Sequence, residues 1–143
     1  MNDGKKLEKK FKKWMTELNI YFHRFMDAAS SGGSNFTSRP SDFWAYIHPN
    51  LFLIECKEIT RNIKSIPYTN ITPSQWKGMK FASINRYIYL VLFDIKGQIY
   101  GVNGAYLLEY TKNSNRKSFI IDNIKEYSIK IDNKEDLLNF LKI

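Results

Sequence analysis

The stretch Leu51-Phe52-Leu53-Ile54-Glu55-Cys56-Lys57 decides how the rest of the chain is read. Side chains alternate along a strand, so Glu55 and Lys57 emerge on one face while Phe52, Ile54 and Cys56 point to the other. An acid and a base therefore sit side by side on a strand whose opposite face is apolar. Upstream, Asp42 to Ile47 reads as a second strand, separated from the first by His48-Pro49-Asn50, where proline and asparagine favour a turn. The two strands should pair as a hairpin, which brings Asp42 across toward Glu55.

Two carboxylates and one ammonium in a small volume suit a hard cation. Carboxylates supply oxygen ligands of the kind magnesium and manganese prefer. A phosphodiester is anionic and resists attack, so its hydrolysis calls for a metal to neutralise developing charge and to lower the pKa of water. A neighbouring lysine can orient or deprotonate the attacking water, or stabilise the transition state electrostatically. On strand pattern alone, an exposed Glu55–Lys57 pair with Asp42 as a turn residue is the commoner arrangement, because acid-x-lysine triplets are common.

Working outward, Leu7, Phe11, Trp14, Met15, Leu18, Tyr21, Phe22, Phe25 and Met26 recur at three- and four-residue steps with lysines between them. This spacing predicts one amphipathic helix from Lys5 to about Ala29, docked on the core. Ser30 to Asn35 has the composition of a flexible connection. Ile59 to Ile71 lacks a clear period and reads as a loop. Thr72-Pro73-Ser74-Gln75 is a helix start, with a Thr cap, Pro in the first turn and Gln closing a capping box, and predicts a helix to about Ile84. Arg86 to Ile95 is almost unbroken Tyr, Ile, Leu and Val, the pattern of a strand buried on both faces. A short strand at Gln98 to Val102, a helix at Gly104 to Tyr110, a loop at 113–117 and one or two weaker strands in Ser118 to Ile131 follow. Asn133 is expected to cap a last helix. This order predicts an α/β domain, a mixed sheet flanked by helices, spanning 1–143 as one unit.

The 22 Lys and Arg against 14 Asp and Glu leave a net charge of +8 and a pI near 9.5, which favours a polyanionic partner. Cys56 is the only cysteine, so no intrachain disulfide is possible, and with two histidines a zinc site is not expected. The longest apolar run, Tyr87 to Phe93, is far too short to cross a bilayer, which needs roughly 20 residues. No secretory signal is visible, so the expectation is a cytoplasmic protein without a membrane span. His23 and His48 have no ligand-like spacing and are expected to be structural or surface residues. Trp14, Trp44 and Trp76 are expected in the core, although an exposed Trp could stack on an unpaired base.

The spacing of Asp42, Glu55 and Lys57 resembles the PD-(D/E)XK nuclease superfamily, and the surrounding residues resemble its RecU-type Holliday junction resolvases. The resemblance runs through Ser41-Asp42-Phe43, Phe52 to Glu58, Ser65-Ile66-Pro67-Tyr68-Thr69-Asn70, and Gln75 with Met79. Fainter echoes are Ile99-Tyr100, Leu107-Leu108 and Asn115-Arg116-Lys117-Ser118. It implies a restriction-endonuclease-like fold and a homodimer that cuts four-way junction DNA with Mg2+, for which Mn2+ can substitute. It further implies that Asp42 and Glu55 bind metal, that Lys57 is catalytic and that Gln75 is an auxiliary active-site residue. Glu8 falls where such nucleases often carry a helix-borne acid and is a further candidate ligand; a solvated helix residue is the alternative. Arg39, Arg61, Lys64, Arg116 and Lys117 are candidate DNA contacts, and the Lys5 to Lys13 cluster is either a phosphate-binding surface or a wet helix face.

Two features depart from that pattern. Ser41 replaces the proline in the superfamily's name, with Pro40 one place earlier, and only Ser30 to Pro40 stands where longer members insert a projecting stalk. Short length is consistent with a phage-encoded form. Two alternatives stay open, a nuclease of the same superfamily acting on other DNA, and a module that binds branched DNA without cutting it.

Overall fold

The computed structural model describes residues 5–26 and 39–142. The Ser30 to Asn35 stretch, and with it any stalk before Asp42, lies outside the described residues. The first helix, α1 (Lys5–Glu17), buries Leu7, Phe11 and Met15, which fall four residues apart on one stripe.

Helix α1 stops well short of Ala29. Asn19 adopts a left-handed backbone with φ of 57°. Its N–H donates to the Thr16 carbonyl, and the Ile20 N–H donates to the Met15 carbonyl, each at 3.1 Å. These two bonds form a Schellman closure, in which a residue tolerant of positive φ satisfies the last carbonyls. The aromatic residues beyond it form a strand, β1 (Tyr21–Arg24).

The hairpin forms as expected from β2 (Phe43–Ile47) and β3 (Asn50–Ile59), antiparallel with Phe43 opposite Ile54 and Trp44 opposite Leu53. The segment read as a loop contains a short strand, β4 (Ser65–Pro67), and a single 3-10 turn at Tyr68–Asn70. Helix α2 (Pro73–Asn85) opens with the capping box: the Thr72 hydroxyl accepts from the Gln75 N–H, and the Gln75 carbonyl oxygen accepts from the Thr72 N–H. Then come β5 (Ile88–Ile95), β6 (Gln98–Asn103) and α3 (Gly104–Asn113), at the positions the periodicity indicates. Between Ser118 and Ile131 a short helix, α4 (Ile121–Glu126), separates β7 (Ser118–Ile120) from β8 (Ile129–Ile131). Asn133 caps α5 (Lys134–Leu141), its side chain accepting from the Asp136 N–H.

Six strands form one mixed sheet in the order β1-β2-β3-β5-β6-β8, parallel only between β3 and β5. Helices cover both faces. Phe52, Ile54, Cys56, Leu90 and Leu92 pack with Leu7, Phe11 and Met15 of α1 and Leu137, Phe140 and Leu141 of α5. Leu53, Tyr89, Val91 and Phe93 pack on the other side with Met79 of α2, Leu107 of α3 and Phe119 of the small β4–β7 sheet. Residues of opposite parity along β3 and β5 thus enter two separate cores. This accounts for the unbroken apolar text of β5. The fold is an α/β sandwich in which Glu55 and Lys57 share a parity with Leu53, on the α2 and α3 side.

Candidate active site

Strand β3 carries two acids and a lysine past the end of its apolar run. Glu55 lies between Leu53 and Lys57 on one face and is only 3% exposed. Its Oε2 stands 3.2 Å from Lys57 Nζ, the same-face placement that the alternation requires. On the opposite face Cys56 is buried against α1, where burial pushes its thiol well up, and it is an apolar filler rather than a nucleophile.

Asp42 precedes β2 by one residue and is buried. Continuing the β2–β3 register by one pair from Phe43 and Ile54 sets Asp42 opposite Glu55. The Cys56 backbone N–H donates to Asp42 Oδ2 at 2.9 Å, which ties the carboxylate to the strand that bears Glu55. Four further contacts hold the segment around it. The Tyr89 hydroxyl donates to the Pro40 carbonyl, the Ser41 hydroxyl to the Phe43 carbonyl, and the Phe25 N–H to the Asp42 carbonyl, while Gly78 of α2 lies against Pro40. A Cβ on Gly78 would come within 3.1 Å of the Tyr89 ring and 3.2 Å of Pro40. Tyr89 is thus a positioning residue that sequence reasoning treated only as core. The available signal was a tyrosine inside a fully buried strand, whose hydroxyl must find a partner.

Electrostatically the site is short of positive charge. Burial, and then repulsion from Asp42, pushes Glu55 up to about 8, with Lys57 pulling the other way. Asp42 is also raised, first by burial, against the opposing pull of the Cys56 N–H bond. Glu55 Oε1 is buried without a hydrogen-bond partner. A buried, unpaired carboxylate oxygen facing a second raised carboxylate is what a divalent cation would relieve, so the donor set fits one. Asp42 and Glu55 would hold it. Among the described residues no three Asp, Glu, His or Cys side chains gather into a closed cage. Two carboxylates leave the remaining positions to water and phosphate oxygens, the usual mode for magnesium.

The other sequence-derived candidates divide. Glu8 is largely buried on α1 and close enough to Asp42 to raise its pKa, but its Oε1 receives Arg24 Nε at 2.8 Å. Arg39 stands beside the site itself, with Nη2 3.6 Å from Asp42 Oδ1. Gln75 is buried, and its carbonyl oxygen is taken by the capping box, leaving the amide nitrogen as its remaining polar group. Arg61 and Lys64 are exposed in the turn after β3, and Arg116 and Lys117 are exposed before β7. The β4–β7 ladder joins these two basic turns. The Lys64 carbonyl accepts from the Ile121 N–H at one end, and the Lys117 carbonyl from the Tyr68 N–H at the other.

Sheet order, helices on both faces and the placement of the acids give the chain a restriction-endonuclease-like α/β fold. Among solved structures it is similar to Hjc, a Holliday junction resolvase from the archaeal hyperthermophile Archaeoglobus fulgidus, with a TM-score of 0.55 and 12% identity. The similarity covers 86% of this chain and 94% of that one. No family model matches the chain. No curated protein sequence matches it either. No helix among the described residues is long and apolar enough to cross a membrane.

Proposed function

We propose that this chain is a divalent-metal-dependent DNA endonuclease that acts on four-way junctions as a homodimer, one active site cutting each of two strands. The observation that carries this reading is the buried pair of raised carboxylates, Asp42 and Glu55, with an unpaired Glu55 oxygen and Lys57 3.2 Å away. The similarity of fold to a junction resolvase and the net charge of +8 support the choice of DNA as substrate. The RecU-type resemblance around Asp42, Glu55, Lys57 and Gln75 supports it from the sequence side, and an intracellular, phage-encoded form belongs to the same proposal.

Each residue then has a task. Asp42 and Glu55 hold Mg2+, or Mn2+ in its place, and the ion supplies Lewis acidity and charge neutralisation at the scissile phosphate. Lys57 orients the attacking water and offsets charge that builds on the phosphate during attack. The Cys56 N–H and Arg39 fix the Asp42 carboxylate, and Tyr89, through Pro40, fixes the backbone that presents it. Gln75 offers its amide nitrogen as an auxiliary donor, and Glu8 is an additional acid at the margin of the site. Arg61, Lys64, Arg116 and Lys117 lie on exposed turns where phosphate contacts would hold the duplex arms without reading their sequence.

The substrate class is tested by offering four-way junction, flap and linear duplex of matched length in Mg2+. Paired, symmetric nicks in the junction at a rate at least about 10-fold above linear duplex support the proposal. Equal cutting of all three would assign the site to a nuclease of another specificity, and binding of junctions without cutting would assign the chain to a non-catalytic module.

A further inference from the structure

Asp42 is the first of three alternate residues, Asp42, Trp44 and Tyr46, that share one face of β2. The register sets Trp44 opposite Leu53 and Tyr46 opposite Leu51, so all three lie on the face that carries Glu55. On the neighbouring edge strand, His23 pairs with Trp44 and Tyr21 with Tyr46. The result is two groups of rings on the face that carries the carboxylates, Trp44 with His23 and Tyr21, and beyond it along β2, Tyr46 with His48. His23 stacks on Trp44 with centroids 5.0 Å apart and planes 23° from parallel, and Tyr21 meets Trp44 edge-on at 5.5 Å. The Tyr21 hydroxyl bonds to His23 Nε2 and the Tyr46 hydroxyl to His48 Nδ1, each at 3.0 Å.

Trp44 is half-buried against the core as its sequence suggests, but the rings around it are open. Tyr21 is 61% exposed and Tyr46 43%, and His23 and His48 are exposed as well. Cross-strand aromatic pairing steadies edge strand β1 against β2, and the edge-on packing of Tyr21 on Trp44 and His23 and of Tyr46 on His48 leaves the two tyrosine rings open to solvent on the face that carries Glu55. Base–aromatic stacking tolerates any sequence, because every base has a π face, and rings already pinned by hydrogen bonds lose little freedom when a base settles on them.

Building on the nuclease reading, we propose that Tyr21, His23, Trp44 and Tyr46 form a stacking platform for unpaired bases of the DNA strand held at the Asp42–Glu55–Lys57 site. Continuity with the carboxylates names the occupant: a strand whose phosphate lies at Glu55 has its neighbouring nucleotides over Trp44 and Tyr46. Paired bases are stacked within their own duplex and do not present free faces, so the platform selects strands that are open at the point of cleavage.

The test compares Tyr21→Ala/Tyr46→Ala and Tyr21→Phe/Tyr46→Phe with the wild type. Binding of fluorescein-labelled oligothymidine and of a fully paired hairpin is measured in EDTA, so that no strand is cut. The alanine pair is expected to weaken oligothymidine binding on the order of 10-fold or more and hairpin binding less than 2-fold, and the phenylalanine pair, which keeps the rings and loses only the bonds that pin them, to weaken oligothymidine binding by no more than about 3-fold and leave the hairpin unchanged. An equal loss on both probes, or no loss on either, overturns the platform and leaves the nuclease reading untouched. A shift of the alanine pair to a smaller species in sedimentation also overturns it, since the rings would then belong to a contact between two copies. Failure of the wild type to bind any DNA would instead remove the nuclease reading, and the platform with it. Thermal melting shows whether the alanine pair is folded, and if it is not, the single variants Tyr21→Ala and Tyr46→Ala carry the same comparison of the two probes.

Discussion

Glu55→Gln is expected to lower divalent-dependent DNA cleavage by about 10³-fold or more, because it removes one of two carboxylates at the centre of the site and puts an amide where a cation must bind. The fold should survive. Glutamine is nearly isosteric, and the substitution removes a carboxyl that burial, and then repulsion from Asp42, pushes up. Single-turnover cleavage in Mg2+, set beside thermal melting of the same sample, separates the two effects. A variant that is inactive but melts no lower than the wild type in EDTA at pH 8 is the expected pair of results. An active Glu55→Gln would remove Glu55 from the chemistry.

The second large effect is on stability and carries a definite sign. Glu55 sits near 4.5 in an unfolded chain and is raised to about 8 in the fold, first by burial and then by Asp42. The folded protein therefore holds a proton that the unfolded chain has released across that interval. Its contribution to stability is present in full below about pH 4.5 and is lost as pH rises to about 8. Asp42, also raised, acts in the same direction. Metal-free protein should thus lose stability on the order of a few kcal/mol between pH 5 and pH 8 from Glu55. Mg2+ or Mn2+ binds the ionised carboxylates of the folded state and should restore it at pH 8, with little effect at pH 5. Denaturant titrations at the two pH values, with EDTA and with metal, measure this. The slope should flatten in Glu55→Gln. A metal-free protein that grows more stable from pH 5 to pH 8, or that does not respond to divalent ions, would contradict the electrostatics assigned to the site.

Local signals account for the parts of the fold that were legible in the sequence. The alternation in Leu51 to Lys57, the turn at His48-Pro49-Asn50, the capping box at Thr72 and Gln75, and the Asn133 cap each act within a few residues, and each is found where it was expected. The end of α1 was less legible, because Tyr21, Phe22, Phe25 and Met26 continue a helical spacing that also suits an aromatic edge strand. What decides between them is Asn19, whose tolerance of positive φ lets the helix close at Ile20. Helix α4 is only six residues long, and β4 and β7 only three each, too short for periodicity to report.

The site divides in the same way. Periodicity along β3 places Glu55 beside Lys57, and the hairpin register sets Asp42 opposite Glu55. The supports that hold Asp42 join residues far apart in the chain. Tyr89 reaches Pro40 across 49 positions, and the Cys56 N–H reaches Asp42 across 14. Such contacts depend on the assembled sheet, and no local pattern announces them. Arg39 illustrates the difference: basic composition marks it as a phosphate contact, whereas the fold sets its guanidinium beside the Asp42 carboxylate.

The most direct test of the central claim is cleavage of an end-labelled four-way junction in Mg2+ by the wild type and by Lys57→Ala, with binding of the same junction measured in parallel. The wild type should nick two opposed strands, and Lys57→Ala should bind with similar affinity yet cut on the order of 10² to 10⁴ times more slowly. Cleavage by Lys57→Ala at the wild-type rate, or a wild type that binds the junction in Mg2+ and never cuts it, would contradict an active site built from Asp42, Glu55 and Lys57.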